Sequence, residues 1–446
     1  MKKYFYDLLY KYLSVFILPR DKVIEVNPKN DLIVKRFLKG RAVNLGNRRS
    51  EDGLPVLDGA AEIDDIGDIG NLSPDYIVLN GTLHYESDIQ ALLHALREQC
   101  KPDTRLVVIY YSSLWYPLVR LSTVLGFRRK TADENRLSHG DIENLLYLTD
   151  FGIIKREARV IVPVWIPLIA WFANKFLAPL PLLNNLCLLN ILVARPAEHS
   201  TRALEQKPGV SIIVPARNEA GNIREIIDRI PKMGDDDEVI FVEGHSTDDT
   251  WSQIRRVCDE NRGVKNVIAC RQDGKGKGDA VRKGFDMAAK DILMILDADL
   301  TVPPEDLPKF YQAIVSGKGE FINGSRMVYP MEKEAMRFFN IIGNKFFALS
   351  FTFVLGQNFK DTLCGTKVLT RDSYLKIAKN RSFFGHIDPF GDFDLIFGAV
   401  RFNLKVVELP IRYRERKYGA TNISRWKHGA LLLKMLVLAA GKFKFL

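Results

Sequence analysis

The sequence predicts an α/β protein made of two doubly wound domains in succession. Three observations predict it. Short apolar strands alternate with helical segments over residues 20–150, the pattern of a parallel sheet wrapped by crossover helices. A second alternation of the same kind starts at VSIIV, residues 210–214. Between them EHSTRALEQKPG, residues 198–209, is polar and ends in Pro-Gly, the composition of a linker. The boundary is placed near residue 206, giving domains 1–205 and 206–446.

Composition fits two ordered domains. Of 446 residues, 47% are apolar and 26% charged, which is enough to bury two cores and too apolar for long disorder. The net charge of +10 favours anionic partners: phosphates, nucleic acid or an acidic membrane surface. Five scattered cysteines (Cys100, Cys187, Cys258, Cys270 and Cys364) form no CxxC pair, which fits a reducing compartment. The histidines show no ligand spacing, so no zinc site is expected. The opening MKKYFYDLLYKYLSVF carries Asp7 and Lys11 within its apolar part and reads as an amphipathic helix, not a signal peptide. The longest apolar run, 160–194, is broken by Asn174, Lys175, Asn184, Asn185 and four prolines. It is expected inside a core rather than across a bilayer.

In the first domain KVIEV (22–26) is a strand, and NDLIVKRFLKG reads as a helix ending at Gly40. RAVNL is the second strand. Residues 47–70 are polar and aperiodic. PDYIVLNGTL and DTRLVVIYYSS are strands, each followed by a helix. HGDIENLLYLTDFG is a further helix. REARVIVP and NLCLLNILVARP are two late strands suited to an antiparallel edge.

This order resembles a class I methyltransferase domain, and the Lys101-Pro102-Asp103-Thr104 turn before the fourth strand matches that family's later half. The resemblance implies a Rossmann-like fold and an S-adenosylmethionine site. The turn after the first strand departs from it. Glu25-Val26-Asn27-Pro28-Lys29-Asn30 has no glycine, although the cofactor needs close backbone approach there. Gly46-Asn47 stand where an acidic ribose partner belongs. The expectation is a degenerate domain that does not use S-adenosylmethionine.

In the second domain ILMILDADL, 292–300, is an apolar run ending in Asp297-Ala298-Asp299. On a buried strand, period-2 alternation would point both carboxylates one way at the ligand-binding edge of the sheet. Two carboxylates there suit a divalent metal beside a diphosphate. The competing reading is a cap on the turn into Pro303-Pro304-Glu305-Asp306. Upstream, VSIIVPARNEAGNIREIIDRI and EVIFVEGHSTDDTW are strand–turn–helix units, and Ser246, Thr247 and Asp248 are placed to cap a helix. GKGKGDAVRKG is a glycine- and lysine-rich loop entering a helix. It is not a Walker loop, but its backbone and Lys277 suit phosphate.

Together these segments resemble a family 2 glycosyltransferase of the GT-A fold over roughly residues 206–426. The matching stretches are Pro215-Ala-Arg-Asn-Glu219, Val242-Glu-Gly-His-Ser-Thr-Asp-Asp-Thr250, Lys275-Gly-Lys-Gly278 and Asp297-Ala-Asp299. Asp361-Thr-Leu-Cys-Gly365-Thr-Lys367 and Arg416-Lys-Tyr-Gly419-Ala-Thr421 resemble the branch that makes polyprenyl-phosphate sugars. The resemblance implies a nucleotide diphosphate sugar bound by Pro215, Glu219, Glu243, Asp248 and Lys277. It implies Mg²⁺ or Mn²⁺ on Asp297 and Asp299, and phosphate or acceptor contacts by Asp361, Arg416 and Arg425. The partners implied are a nucleotide sugar, a polyprenyl phosphate and the inner face of a membrane approached from the cytoplasm, with no role for nucleic acid.

Asp392, in Gly391-Asp-Phe-Asp394, keeps three readings: a general base for a hydroxyl acceptor, an orienter of Arg416, or a helix cap. A phosphate acceptor, already nucleophilic at neutral pH with a second pKa near ~6, does not need a base. The end, WKHGALLLKMLVLAAGKFKFL, is apolar in the middle and basic at both ends. It is too short to span a bilayer and suits lying on one, or packing on the domain.

Overall fold

The computed structural model describes residues 2–28, 30–45, 61–63, 66–124, 135–197, 207–329, 338–383, 391–416, 418 and 425–446. The chain divides into two compact units, Met1–Glu198 with Gly441–Leu446, and His199–Ala440. The last six residues thus group with the first unit, whereas the sequence assigned them to the second domain. The linker stretch 198–206 lies outside the described residues.

The first unit is a seven-stranded sheet: β1 (Lys22–Val26), β2 (Lys39–Leu45), β3 (Ala61–Ile63), β4 (Tyr76–Asn80), β5 (Arg105–Tyr111), β6 (Phe151–Arg159) and β7 (Leu189–Pro196). Its order is β3-β2-β1-β4-β5-β7-β6. The first five strands run parallel, and β7 is antiparallel to both β5 and β6. Alternation builds two cores from one sheet. Ile77, Leu79, Leu106 and Val108 face one apolar cluster, and Tyr76, Val78, Val107 and Ile109 face the other, as the two-residue period of a strand requires. Helix α1 (Lys2–Leu13) seals the second cluster with Leu9, Tyr12 and Leu13. Helix α2 (Asp68–Asn71) and helix α3 (Ile89–Gln99), capped by Asp88, lie on the first cluster's side, with α4 (Tyr116–Val124) and α5 (His139–Leu148) further along the chain.

Two expectations fail here. Residues 30–40 form only a single tight turn, Val34–Arg36, and Gly40 lies inside β2. A Cβ at Gly40 would meet the Val34 carbonyl oxygen at 2.1 Å, so the glycine permits close chain approach instead of ending a helix. The run 160–194 is not wholly a core. Its ends are buried, but Trp165, Leu168, Trp171 and Leu182 are exposed; its one regular α-turn is α6 (Ile169–Phe172). The final six residues return to this unit. Arg159 donates to the carbonyls of Lys444 (2.6 Å) and Phe443 (3.0 Å), and its charge is met by Glu157 at 2.6 Å.

The second unit is also a seven-stranded sheet: β8 (Val210–Ala216), β9 (Glu238–Glu243), β10 (Asn266–Arg271), β11 (Ile292–Ile295), β12 (Phe321–Ser325), β13 (Lys367–Thr370) and β14 (Val406–Pro410). The order is β10-β9-β8-β11-β13-β12-β14. Strands β10, β9, β8 and β11 are parallel, and β13 is antiparallel to its neighbours. Helices α7 (Ile223–Arg229), α8 (Thr250–Glu260) and α9 (Lys277–Met287) follow the parallel strands. Gly284 lets α9 approach the sheet: a Cβ there would meet Ile213 Cγ2 at 2.5 Å. The later helices are α10 (Leu307–Val315), α11 (Phe338–Leu355), α12 (Arg371–Lys379), α13 (Asp392–Arg401) and α14 (Arg425–Ala439). Helices α11 and α14 pack on each other. Both keep exposed apolar side chains, including Phe346, Leu349, Leu433 and Val437. Among the described residues no helix is long and apolar enough to cross a membrane.

Candidate functional site

The carboxyl ends of β8, β9 and β11 gather the polar turns, as an open parallel sheet dictates at its switch point. After β8, Asn218 takes a positive φ of 56°. Its carbonyl-side amide oxygen accepts the Thr247 N–H at 2.8 Å, and its own N–H donates to Ser246 Oγ at 3.0 Å. The first two turns are thereby tied together. Glu243, at the end of β9, is buried. It accepts the Ser246 N–H at 2.5 Å and faces Arg271 at 3.4 Å. Asp248 accepts N–H groups of Ala220 (3.3 Å) and Thr250 (3.0 Å) just ahead of α8; the helix's N-cap position is Asp249 and carries no side-chain cap, so the capping expected of Ser246, Thr247 and Asp248 is not met. Burial opposes its charge, but these hydrogen bonds hold its carboxyl below the usual range. Tyr418 reaches Asp248 at 3.4 Å. Pro215 is half-buried within β8.

Asp297 and Asp299 are displaced from the expected strand positions. Strand β11 stops at Ile295, and both carboxylates lie in the following turn, where Leu300 has φ of 55°. Strand alternation therefore does not orient them. Ala298 is buried in the core as foreseen. Asp297 Oδ1 lies 2.5 Å from Lys277 Nζ, while Asp299 Oδ2 accepts from Arg416 Nη2 at 2.7 Å. Asp299 Oδ1 accepts from Thr301 Oγ1 at 2.7 Å within its own turn, and the helix-cap reading is not met, because the helical turn at Pro304–Asp306 has Pro303 as its N-cap and no side-chain cap. Burial pushes Asp297 upward, but the charge and hydrogen bond of Lys277, with the charges of Lys367 and Arg326, together hold its carboxyl below the usual range. Lys277 is likewise raised, its burial offset by Asp297 and Asp392.

Arg416 closes the cluster through a second contact, Nη1 to Glu219 Oε1 at 3.0 Å. Glu219 is buried and also accepts from Asn222 at 2.7 Å. Burial lifts its carboxyl to about 7, with Arg416 opposing and Asp299 adding to the rise. Two ion pairs thus sit side by side at this sheet edge: Lys277 with Asp297, and Arg416 with Asp299. The donor chemistry fits a divalent cation that takes two carboxylate oxygens from protein and the rest of its shell from water and a diphosphate. Among the described residues no group of three or more ligating side chains could hold a metal without such a substrate.

The floor of the site holds residues for which the sequence assigned no role. A Cβ on Gly365 would meet Asp297 Oδ2 at 2.0 Å and Lys277 Nζ at 2.5 Å, so any side chain there would push that pair aside. Gly391 has φ of 75°, and a Cβ there would strike Gly278 Cα at 2.6 Å; the lysine loop and the start of α13 touch backbone to backbone. Lys367 is fully buried, with Nζ 3.0 Å from Asp392 Oδ1. Asp361, expected near the acceptor, is buried. It forms a bidentate pair with Arg326 (2.6 and 2.8 Å) and accepts the Leu363 N–H at 3.1 Å. The available signal was the Gly365-Thr366-Lys367 segment, whose glycine and lysine are the two contact points. Arg425 starts α14; its side chain, and the Gly419–Thr421 stretch, lie outside the described residues.

Comparison with known proteins finds likenesses for part of the chain. Residues 211–377 match Glycosyl transferase family 2. Glycosyltransferase AglJ of Haloferax volcanii is 29% identical over 225 residues, which is 50% of this chain and 69% of that protein. A dolichol-phosphate mannosyltransferase of Pyrococcus furiosus is 30% identical over 218 residues, 48% of this chain and 59% of that protein. This chain thus spans less than two thirds of the second relative's length. Glucosyl-3-phosphoglycerate synthase from Mycobacterium tuberculosis, solved with Mn²⁺ and UDP, aligns at 17% identity over 53% of this chain and 80% of that one, with a TM-score of 0.37. Glu219, Lys277, Asp297 and Gly365 fall inside the stretch that matches Glycosyl transferase family 2, Arg416 falls outside it, and the matched stretch lies within the second unit.

Proposed function

We propose that the protein transfers a hexose from a nucleotide diphosphate sugar to a polyprenyl phosphate, with inversion at the anomeric carbon, at the inner face of a membrane. An oxygen of the acceptor phosphate forms the new bond to that carbon as the bond to the donor's diphosphate breaks. The observation that carries the reading is the pair of adjacent ion pairs, Lys277 with Asp297 and Arg416 with Asp299, at the carboxyl edge of the sheet. Asp297 and Asp299 would hold Mg²⁺ or Mn²⁺, which neutralises the leaving diphosphate when bound. Glu219, Glu243 and Asp248 line the base and ribose end, and Lys277 and Arg416 turn from their carboxylates to phosphate by charge-assisted hydrogen bonds. Arg425 is assigned to the same phosphates.

The acceptor assignment rests on Asp392. It is buried at the start of α13 and faces the fully buried Lys367. Its Oδ1 lies 3.0 Å from the Lys367 ammonium, whose hydrogen bond goes to the Cys364 carbonyl; this buried charge pairing supports a positioning role for Asp392, which suits a phosphate acceptor that attacks without a base. The exposed apolar side chains of α11 and α14 support a peripheral membrane position for this unit. For the first unit, the strand order with an antiparallel β7 supports a methyltransferase-type fold. The Glu25 side chain, fully buried at the end of β1, accepts from Asn80 Nδ2 at 3.1 Å. It fills the switch point between β1 and β4, which supports a unit that does not use S-adenosylmethionine.

The test is incubation of the full chain with a panel of labelled nucleotide sugars, Mn²⁺ and a polyprenyl phosphate in detergent. Label is expected in the lipid phase. Label found only in a water-soluble saccharide would replace the phosphate acceptor with a hydroxyl one.

A further inference from the structure

We infer that residues 160–188 of the first unit, the insertion between β6 and β7, form a docking surface for an anionic lipid bilayer. The segment is inverted relative to an ordinary protein surface. Its polar side is turned inward: the buried Asn174 accepts the N–H groups of Ile161 and Val162 at 2.9 Å each, and donates to the Val162 carbonyl at 2.7 Å and the Tyr4 hydroxyl at 3.1 Å. Its outward side is apolar. Leu168 and Leu182 are 79% and 83% exposed, and Trp165, Ile169, Trp171 and Phe172 are each at least half exposed. Residues Leu168, Trp171, Phe172 and Leu177 line a shallow, wholly apolar depression. Helix α4 extends the surface with Leu114, Leu118 and Leu121 just before and along one helical face. The Trp115 indole donates to the Leu186 carbonyl at 2.8 Å, which ties the two segments together.

Backbone strain marks the two most exposed leucines. Leu168 has φ of 62° and ψ of −48°, and the Ile169 N–H donates to the Pro167 carbonyl at 2.7 Å, a γ-turn of the strained kind. Leu182 repeats the geometry at φ of 70° and ψ of −48°, again directly after a proline. Leucine is a poor choice for a positive φ, and water is a poor environment for its side chain. Both costs are accepted at the same two positions. Packing inside this unit does not account for that, because neither side chain is buried.

Charge selects the bilayer over a second copy of the chain. No acidic residue occurs between Glu157 and Glu198. Lys175 lies 5.9 Å from the Trp171 ring and 5.7 Å from the Phe176 ring, the posture of a lysine whose stem lies along an apolar surface while its head reaches for anionic groups. Lys3 and Lys11 on α1 are exposed. α1 adjoins the insertion through the Tyr4–Trp165 ring contact at 5.1 Å, and Lys11 is near enough to Lys175 for the two to repel. Across a two-fold axis these cations would oppose their own copies. Against anionic headgroups they are complemented, with the tryptophans at interfacial depth.

The inference is independent of the transfer reading. The full chain is tested with phosphatidylcholine vesicles, with and without phosphatidylglycerol, and with brominated phosphatidylcholine as a quencher of tryptophan fluorescence. The expected result is flotation that phosphatidylglycerol strengthens, with quenching lost when Trp165 and Trp171 are replaced by phenylalanine. The pair Leu168→Asn and Leu182→Asn should lower vesicle partitioning by roughly tenfold per leucine. Asparagine tolerates positive φ better, so thermal stability should not fall, and transfer to a detergent-solubilised acceptor should be unchanged. Native-like flotation of the double variant would overturn the inference. So would a native dimer that dissociates on the same substitutions, or vesicle binding without quenching at the two tryptophans.

Discussion

The Arg416 guanidinium donates to Asp299 Oδ2 at 2.7 Å across 117 positions of chain. Arg416 follows β14, whereas Asp299 follows β11, so this ion pair closes the cleft from the far side of the sequence. Asp299→Asn removes both the countercharge to Arg416 and one of the two carboxylates assigned to the metal. Transfer is expected to fall by at least about a hundredfold, with far-ultraviolet circular dichroism unchanged because the turn lies outside the strand. Native activity of the variant in saturating Mn²⁺ would remove Asp299 from the site.

Gly365→Ala adds one methyl group where Asp297 Oδ2 and Lys277 Nζ already lie within 2.0 and 2.5 Å of its position. Both groups must move by an ångström or so, a displacement that can cost on the order of 10²-fold in rate. The expected result is a loss in kcat together with weaker donor binding, measured by steady-state kinetics and by titration with the nucleoside diphosphate. Native kinetics would show that the glycine is dispensable and the cradle looser than it looks.

Glu219 links stability to pH. Its folded pKa of about 7 lies above its ordinary 4.5, raised first by burial. Between those values the folded chain keeps a proton that the unfolded chain has released, so stability falls as pH rises through that window. Glu219→Gln abolishes the dependence. Urea unfolding of the two proteins at about pH 5 and about pH 8 should show the native protein losing up to ~3 kcal/mol relative to the variant on going to the higher pH. A difference that stays constant with pH would mean that Glu219 is ionised throughout.

Asp392 and Lys367 form a buried pair 3.0 Å apart. Removing one partner strands the other's charge and costs about 3–5 kcal/mol, whereas replacing both with apolar groups is far milder. Chemical denaturation of Asp392→Asn, Lys367→Met and a double Asp392→Leu, Lys367→Met variant should show the double variant as the more stable. In folded protein Asp392→Asn should slow transfer less than Arg416→Ala does. The opposite order, with Asp392→Asn losing roughly 10²–10⁴-fold, would point to a general base and a hydroxyl acceptor.

Much of the site was legible in the chain because topology does the assembling. Once VSIIV, EVIFVE and ILMI are read as parallel strands, the turns after them must share one edge, and Glu219, Asp248 and Asp297 come together without further information. The pairings were not legible. Nothing local tells Lys277 to meet Asp297, Arg416 to meet Asp299, or Asp361 to meet Arg326. Such choices are made by contacts between residues 20 to 117 positions apart. Residues 160–194 failed for another reason. Apolar composition says that a side chain avoids water; it does not say whether a core or some other apolar medium receives it. Gly40 failed because a glycine that ends a helix and one that lets two chains touch look alike in sequence.

The final hexapeptide gives the architecture a host and a guest. Residues 441–446 belong with the first unit, held by the buried Arg159 and by packing of Leu446 on the cluster beneath α1, so the glycosyltransferase domain is a guest whose two ends are both fastened to the host. A protease that cuts once between residues 198 and 206 therefore should not release it. The two fragments should co-elute until the tail too is severed, and deleting residues 441–446 should be felt first in the melting of the first unit, to which they belong.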